Sequence, residues 1–281
     1  MNRFNNCVAV VTGAGSGIGR QLAYQLAEAG AQLAIVDINS TELEETRATI
    51  SKQHDVKVMA DILDVADQTA VFAYAERVEQ EYGSVNLVIN NAGVALGSGP
   101  LWTTSVDDFK WLMDINFYGV LSGTKAFLPI LQKSDWGHIV NISSIFGIIS
   151  VPTQTAYNAS KFAVKGMTDA LRHELEIAGS SVSCTTVHPG GIKTNIAKSG
   201  RFVHDGSAQS IAKRDADIAN FDKLARTTAE SAAQQILKAV TKNKRRLLIG
   251  ADAKLMDILQ RLFPTHYSKI LYKIMGGTPE L

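Results

Sequence analysis

Short runs of Val, Ile, Leu and Ala alternate with longer amphipathic stretches along most of this chain of 281 residues. Such apolar runs are typical of strands that are covered on both faces, and helical connections between them favour a parallel sheet. The sequence therefore predicts βαβ units, several of whose helices follow capping residues such as Ser40, Asp67 and Ser105. The candidate strands lie near residues 7–12, 32–37, 56–60, 85–90, 138–143, 182–187 and 246–249, and the candidate helices near 17–29, 40–53, 66–82, 106–133, 154–178 and 227–242.

The chain shows no internal repeat and no linker rich in Pro or Ser, so we expect a single domain over residues 1–281. Two segments depart from the alternating pattern. Residues 195–226 lack a strand pattern, and an insertion of about 30 residues after a strand is more typical of a functional flap than of a plain connection. Residues 252–275 carry apolar side chains at helical spacing, interrupted at Pro264, which predicts two short amphipathic helices.

Composition excludes several classes of protein. The 28 Lys and Arg residues nearly balance the 27 Asp and Glu residues, and a net charge of +1 does not favour nucleic-acid binding. Cys7 and Cys184 stand far apart in apolar runs, which indicates buried thiols in a reducing compartment rather than a disulfide or a metal site. No window approaches the roughly 18 apolar residues of a membrane span, so we expect a cytoplasmic protein. We also expect no bound metal.

A glycine-rich turn, Thr12–Gly19, directly follows the first candidate strand and precedes the first helix. Glycines let the backbone approach a pyrophosphate, and a helix N-terminus supplies unpaired N–H groups. The turn departs from the common G-x-G-x-x-G pattern, because Ile and Arg stand at positions 18 and 20. A plain turn is the alternative, but the position between strand and helix favours phosphate binding. The candidate phosphate contacts are Gly13, Ser16, Gly17, Ile18 and Gly19.

Asp37 ends the second candidate strand, 18 residues beyond Gly19. A carboxylate at this point can accept hydrogen bonds from the ribose hydroxyls of an adenosine, and it would repel a 2′-phosphate. The residues beside it carry no positive charge that could receive such a phosphate. The sequence therefore favours NAD over NADP as cofactor, although Asp37 could instead cap the helix near 40–53.

Six motifs occur together in a fixed order, and their combination is far more specific than any one of them. Through them, the chain closely resembles the classical short-chain dehydrogenase/reductase family over roughly residues 5–250. The resemblance implies a Rossmann-type, doubly wound α/β fold with a seven-stranded parallel sheet and helices on both faces. The six motifs are Thr12–Gly19, Asn90–Gly93, Asp114–Gly119 around Asn116, Asn141–Ser144, Tyr157–Lys161 and Pro189–Thr194.

Tyr157 and Lys161 are four residues apart on a candidate helix, so that the phenol and the ammonium group can lie side by side. A phenol titrates near pH 10, and a base that acts near pH 7 needs a fall of about 3 pH units, or roughly 4 kcal/mol. One cation about 4 Å away contributes on the order of 4 kcal/mol at an effective dielectric constant of about 20. The positive charges of Lys161 and of an oxidised nicotinamide would together suffice to lower the pKa of Tyr157 by this amount. Ser144, 13 residues upstream at a strand end, disfavours the alternative of an unrelated Tyr–Lys pair on an exposed helix face.

The family resemblance implies a role for each of these side chains. Tyr157 would be the general acid/base that exchanges a proton with the substrate oxygen while hydride moves to or from the nicotinamide. Lys161 would lower the pKa of the phenol and hold the nicotinamide ribose, and Ser144 would orient the substrate oxygen. Asn116 would position a water that continues the proton path from Lys161.

The resemblance also implies a set of cofactor contacts. Asp64 and Val65 would contact the adenine, with Asp61 as an alternative to Asp64, and Asn90 would support the central strands. Pro189 and Gly190 could otherwise only end a strand. The other expected cofactor contacts are Asn91, Ala92, Gly93, Pro189, Gly190, Ile192 and Thr194, together with Tyr157 and Lys161.

Apolar residues follow two of the motifs, at 94–96 and 145–149, and favour a lipophilic alcohol or ketone as substrate unless they belong to the core. Segment 195–226 is similar in position to the family's substrate loop. The helices near 106–133 and 154–178 resemble those with which the family forms homodimers and homotetramers. The helices of 252–275 would pack on the enzyme or a partner subunit, or else contact a membrane surface. An epimerase or dehydratase and a non-catalytic dinucleotide sensor are the alternative functions.

Overall fold

The computed structural model describes residues 3–97, 99–202, 211–212, 214–216, 218–219, 223 and 225–275. Its strands are β1 (Val8–Thr12), β2 (Gln32–Asp37), β3 (Val58–Ile62), β4 (Leu87–Asn90), β5 (Gly137–Ile142), β6 (Val182–Pro189), β7 (Ile192–Lys193), β8 (Thr227–Thr228) and β9 (Arg246–Ile249). Its main helices are α1 (Gly17–Glu28), α2 (Ser40–Gln53), α3 (Gln68–Tyr82), α4 (Val106–Met113), α5 (Gly119–Leu131), α6 (Thr155–Ile177), α7 (Ala229–Thr241), α8 (Ala251–Leu262) and α9 (Tyr267–Met275).

Seven parallel strands form the main sheet in the order β3-β2-β1-β4-β5-β6-β9. The strand order reverses between β1 and β4, and in open parallel sheets a ligand binds at the carboxyl ends of the strands at such a point. Thr12 lies opposite Val36 in the register of β1 and β2, which brings the turn after β1 beside Asp37. The fold is the Rossmann-type α/β fold that the sequence predicts, in a single domain.

Helices cover the sheet on both faces. Leu22 and Leu26 of α1, Ile50 of α2 and Ile236 of α7 are buried in one apolar core with side chains from one face of the sheet. Helices α3, α5 and α6 bury a second core on the other face, in which Phe127 is a large member. The strands are therefore apolar on both sides, which explains their nearly continuous runs of branched residues.

The predicted strands and helices agree with the structure to within about two residues at most of their ends. One predicted cap is wrong: Ser40 is the first residue of α2, and the side chain of Asn39 accepts the hydrogen bond from the Glu42 amide at 3.1 Å. A π-helical turn, Asp114–Tyr118, joins α4 to α5 within the single helix predicted near 106–133. The short parallel pair β7 and β8 has no counterpart among the predicted strands.

The two predicted C-terminal helices are present as α8 and α9. Ala253 and Leu271 are buried in a cluster with Ile145, Ile148 and Ile149, so both helices pack against the segment that follows β5. The hydroxyl of Tyr267 accepts a hydrogen bond from the Ser150 amide at 2.9 Å and strengthens this contact. Of the helices in the described ranges, none is long and apolar enough to cross a membrane.

Candidate active site

The glycine-rich turn lies at the carboxyl end of β1, where it leads into α1. Ser16, the N-cap residue of α1, makes no side-chain capping bond, and the first turn of the helix holds no acidic residue. The N-terminal amides of α1 are thus left for an external anion. Gly17 has a φ of +53°, which favours glycine, and a Cβ atom at Gly19 would overlap the carbonyl oxygen of Gly13. These features fit a bound pyrophosphate.

Hydrogen bonds hold the glycine-rich turn against the end of β4. The hydroxyl of Thr12 accepts from the amides of Asn91 and Ala92, each at 3.0 Å. The Asn91 side chain donates to the carbonyls of Thr12 and Gly13 at 2.9 and 3.2 Å. Sequence reasoning treated Thr12 only as the start of a motif and missed its role, because its partners lie 79 and 80 positions away in sequence.

Asp37 lies directly under the glycine-rich turn. Its carboxylate accepts hydrogen bonds from the amide of Gly15 at 2.8 Å and from the amide of Asn39 at 2.9 Å. The alternative role as the cap of α2 is wrong, since Asn39 provides that cap. The guanidinium of nearby Arg20 pairs with Glu42 at 3.1 Å and with a second carboxylate of α2. The charge of Arg20 is therefore already partly balanced by protein carboxylates.

The two carboxylates proposed for the adenine site differ in their partners. Asp61 lies within β3 and forms an ion pair with Arg77 of α3 at 2.7 Å. Asp64 is exposed beyond the end of β3, and its side chain accepts a hydrogen bond from the Ala66 amide at 2.9 Å. Val65 is buried against Gly119 at the start of α5. The predicted adenine contact of Asp64 and Val65 therefore stays a prediction. Asp61, the alternative, already forms an ion pair with Arg77.

Ser144, Tyr157 and Lys161 come together where β5 ends and α6 begins. The Ser144 hydroxyl lies near the Tyr157 hydroxyl, where its hydrogen-bonding effect lowers the pKa of the phenol. The Lys161 Nζ atom lies 5.5 Å from the centre of the Tyr157 ring and donates to the carbonyl of Ile142 at 3.2 Å. A Cβ atom at Gly93 would lie only 3.5 Å from this Nζ atom, so the loop after β4 borders the same centre.

Burial shifts the pKa values of both titratable side chains of this centre in the protein without cofactor. Burial raises the pKa of Tyr157 to about 12, and the hydrogen bond from Ser144 only partly opposes this effect. Burial also lowers the pKa of Lys161 to about 8. These directions belong to the protein without a dinucleotide. The predicted fall of the Tyr157 pKa needs Lys161 together with an oxidised nicotinamide, and it stays a prediction.

Asn116 lies in the π-helical turn between α4 and α5 and is fully buried. Its Oδ1 atom accepts from the Val94 amide at 2.8 Å, and its Nδ2 atom donates to the Val94 carbonyl at 2.9 Å. Both ends of the amide therefore hold the loop after β4. π-helical turns occur often at functional sites, and this one places Asn116 about as close to the Gly93 backbone as Lys161 is.

Two further side chains hold this centre in place, and sequence reasoning missed both. The Nδ1 atom of His188, on β6, lies 2.9 Å from the carbonyl oxygen of Ser144 and must donate to it, since a carbonyl can only accept. The hydroxyl of Ser143 donates to the carbonyl of Lys161 at 2.7 Å. Burial lowers the pKa of His188 to about 4, so the imidazole is neutral at pH 7.

The motif Pro189–Thr194, which begins at the end of β6, lies at the carboxyl ends of the strands near the glycine-rich turn. Thr194 lies beside the glycine-rich turn, about 3.2 Å from where a Cβ atom on Gly17 would stand, and Ile192 is buried next to it. The carboxylate of Asp252 of α8 lies where a Cβ atom on Gly190, the residue after Pro189, would stand. It accepts a hydrogen bond from the Gly191 amide at 2.7 Å. The structure thus brings this motif to the turn.

The apolar residues expected to line the substrate pocket are in large part core residues. Ile145, Ile148 and Ile149 are buried under the C-terminal helices, as the alternative interpretation held. Phe146 instead meets the Tyr157 ring edge-on, with ring centres 6.1 Å apart. Pairing between Leu96 and Arg201 lays the start of segment 195–226 across the loop after β4. Residues 203–210 of that segment lie outside the described residues.

The fold, the glycine-rich turn and the Ser–Tyr–Lys arrangement together define a class of protein. The family model for short chain dehydrogenases matches residues 7–202. The chain belongs to the short-chain dehydrogenase/reductase family of oxidoreductases.

Individual relatives extend this assignment along nearly the whole chain. It is 43% identical to the Mycobacterium tuberculosis protein SadH, named as an oxidoreductase, over 96% of both chains. It is 36% identical to dehydrogenase/reductase SDR family member 7B of Mus musculus, over 95% of this chain and 80% of that one. A short-chain dehydrogenase/reductase from Burkholderia phymatum, solved in complex with NAD, superposes with a TM-score of 0.86 at 30% identity, over 94% of this chain and 96% of that one.

Proposed function

We propose that this protein is an NAD-dependent oxidoreductase that interconverts an alcohol and a carbonyl compound, with Tyr157 as the general acid/base. The observation that carries the proposal is the meeting of Tyr157, Ser144 and Lys161 at one point beside the loop that follows β4. Such a reaction needs three groups: a hydroxyl that hydrogen-bonds the substrate oxygen, a phenol that exchanges a proton with it, and a nearby cation.

The pKa values define what Tyr157 does in each direction. With a pKa of about 12, Tyr157 holds its proton at pH 7 and can donate it to a carbonyl oxygen that becomes an alkoxide. The hydroxyl of Ser144, held by the Phe146 amide at 3.1 Å, orients the same oxygen. In the oxidative direction Tyr157 must first lose its proton, so more positive charge is needed near the phenol than Lys161 alone provides.

Lys161 acts by its charge and its position. With a pKa of about 8, its ammonium group is still mostly charged at pH 7, and it becomes neutral as the pH rises through that value. Its hydrogen bond to the Ile142 carbonyl and the bond from Ser143 to its own backbone fix it between Tyr157 and the loop after β4. Asn116 borders it there and would position a water that continues the proton path from Lys161.

The dinucleotide would lie across the carboxyl ends of β1 and β4. It would supply the hydride and, in its oxidised form, the second positive charge. The amides of the glycine-rich turn would bind its pyrophosphate, Asp37 its adenosine ribose, and Asp64 with Val65 its adenine. Asp37 favours NAD over NADP, because its carboxylate would face a 2′-phosphate with like charge. The NAD complex of the Burkholderia phymatum structure supports this choice.

The substrate is proposed to be a lipophilic alcohol or ketone. Phe146 lies against Tyr157, and Leu96 and Trp111 pack in the same cluster as the Tyr157 ring. These apolar side chains surround part of the Tyr157 ring and make its neighbourhood apolar. Segment 195–226, whose start crosses the loop after β4, would close over the substrate.

The proposal is tested by absorbance at the NADH band during a screen of secondary alcohols, sterols and long-chain alcohols with NAD. We expect steady net formation of NADH with at least one lipophilic alcohol, and a fall of about a hundredfold or more in Tyr157→Phe with NADH binding intact. Tyr24→Phe, which removes a hydroxyl from α1, is the matched control.

Other outcomes would overturn the proposal. An epimerase or dehydratase would convert substrate without net NADH. A sensor would bind the nucleotide without turnover of any substrate. Retention of most activity by Tyr157→Phe would show that another group transfers the proton.

A further inference from the structure

Helix α8 exposes a row of large apolar side chains that the fold leaves uncovered. Leu255, Ile258 and Leu262 are 52%, 54% and 67% exposed. Their spacing of three and four residues places them along one side of the helix, which we call the α8 stripe. Phe263, the next residue after the helix, is 46% exposed and extends the row. Helix α8 therefore buries one side against the domain and presents a second apolar side outward.

A cleft of about 420 Å³ borders α8 and is lined by four basic residues. Lys238 comes from the last turn of α7, Lys244 from the connection before the edge strand β9, Arg246 from the first position of β9, and Lys254 from α8 itself. The described residues that line this cleft include no carboxylate. We call this feature the basic cleft. Since Lys254 belongs to it and directly precedes the first residue of the α8 stripe, the two features adjoin.

The carboxylates nearest to these features on α8 are already engaged. Asp257 is buried and forms ion pairs with Arg246 and with Arg261, the latter at 3.1 Å. Asp252 on the first turn accepts the amide of Gly191. Among the described residues, Lys238, Lys244 and Lys254 form no ion pair with a carboxylate, and all three side chains are exposed.

We propose that the α8 stripe and the basic cleft together dock the protein on the surface of an anionic lipid bilayer. An amphipathic helix with lysines beside its apolar side binds the boundary between headgroups and acyl chains, where apolar burial and attraction to acidic lipids add. The charge of the basic cleft complements such a surface.

A second copy of the chain is a poorer occupant of this face. A two-fold contact uses the same patch on both subunits. Contact through the α8 stripe would bring two basic clefts close to each other, and like charges repel. An anionic bilayer can instead bury the α8 stripe among its acyl chains while its acidic headgroups attract the basic cleft.

Docking here would also affect the proposed active site, and this step alone rests on the proposed function. Helices α8 and α9 pack on Ile145, Ile148 and Ile149, which directly follow Ser144. The lipid surface would thus lie behind the segment that carries Ser144, and a lipophilic substrate could pass from the bilayer without crossing bulk water.

The test is co-sedimentation of the full-length protein with vesicles of phosphatidylglycerol and phosphatidylcholine in equal parts, with vesicles of phosphatidylcholine alone in parallel. We expect the protein to pellet with the anionic vesicles at low salt, and much less with the neutral ones. High salt shortens the screening length from about 10 Å at 0.1 M to about 3 Å at 1 M and should release part of the bound protein.

Two sets of variants separate the contributions. In Leu255→Gln with Ile258→Gln and Leu262→Gln, we expect the bound-to-free ratio to fall by about tenfold or more. Ile177→Gln, at a side chain 87% exposed at the end of α6, is the matched control and should pellet like the wild type. Lys244→Gln with Lys254→Gln should weaken binding to anionic vesicles, whereas Lys52→Gln with Lys125→Gln should not.

The assay contains no substrate and no cofactor, so its result is independent of the proposed reaction. The proposal is overturned if the wild type stays in the supernatant with anionic vesicles, or if the triple Gln variant pellets as completely as the wild type. It is also overturned if that variant lowers the molar mass by light scattering while no form pellets, since the face would then join two copies of the chain.

Discussion

Two clusters of buried polar side chains lie near each other at the centre of the sheet, and they differ in how their groups are satisfied. In the first, Asn90 donates to Asn141 at 2.8 Å and to Thr124 at 3.2 Å, and Asn141 donates to Thr168 at 3.0 Å. The Thr168 hydroxyl in turn donates to the carbonyl of Val164 at 2.7 Å. All of these side chains are neutral and buried, and each finds a partner within the network.

In the second cluster, burial acts against the groups that it encloses. It raises the pKa of Tyr157 and lowers that of Lys161, so that each is held toward its neutral form. The Nε2 atom of His188 is buried without a hydrogen-bond partner. Unpaired polar groups in a protein interior cost free energy. The comparison teaches that the Asn90–Asn141 network stabilises the fold, whereas the Tyr157–Lys161 centre lowers its stability and is suited to change its protonation when a charged ligand binds beside it.

The largest effect should follow from Lys161→Met, which removes the cation but keeps most of the side-chain volume. We expect turnover to fall by about a thousandfold, since the cation contributes on the order of 4 kcal/mol to ionisation of Tyr157. The free energy of unfolding should rise by about 1–2 kcal/mol, because a buried charge is replaced by an apolar group. Turnover and urea denaturation measure the two effects, and a marked loss of stability would contradict the comparison.

The next effect concerns the neutral network. Asn141→Leu leaves Asn90 and Thr168 without their shared partner, and we expect the free energy of unfolding to fall by about 3 kcal/mol. Gln53→Leu, at an exposed amide on α2, is the control and should change it little. If Asn141→Leu unfolds at the wild-type urea concentration, the network does not stabilise the fold.

A smaller effect should come from His188, which holds the backbone of Ser144. An Asn side chain places its amide nitrogen near the position of Nδ1, whereas a Gln side chain places it near Nε2. We therefore expect His188→Gln to lower kcat by about tenfold with KM and NADH affinity little changed, and His188→Asn to keep most of the activity. Equal losses of kcat in the two variants would mean that the bond to the Ser144 carbonyl does not position the hydroxyl.

The smallest effect is expected at Asp37, which lies outside both clusters. Asp37→Ser removes the carboxylate that would face a 2′-phosphate. The preference for NAD over NADP should narrow by only about fivefold, because solvent screens a half-buried charge. Initial rates with both nucleotides measure the ratio. An unchanged ratio would assign cofactor selection to another residue.

Sequence patterns predicted the sheet well because its strands obey a local rule. The strands are mostly apolar and are bounded by cap and turn residues, as β1 and its glycine-rich turn show. The same local reasoning failed at the start of α2, where two adjacent residues could each cap the helix. Asn39 and Ser40 are both good caps, and the backbone conformation of Asn39 decides between them.

Only those residues of the candidate site that belong to a recognisable sequence motif could be predicted from the sequence. Ser144, Tyr157 and Lys161 stand in such motifs and meet in the structure. The contacts of His188 with Ser144 and of Thr12 with Asn91 join positions 44 and 79 residues apart, and no local pattern marks them. The direction of the pKa shift at Tyr157 was also out of reach, because it depends on how completely water is excluded from the hydroxyl.

The most direct test of the account is a spectroscopic pH titration of tyrosinate absorbance, taken as the difference between the wild type and Tyr157→Phe. In the protein without cofactor, Tyr157 should ionise only near its pKa of about 12. With saturating NAD, the added positive charge should shift this ionisation to a clearly lower pH, while NADH should shift it much less. Ionisation of Tyr157 at the same pH with and without NAD would contradict the account.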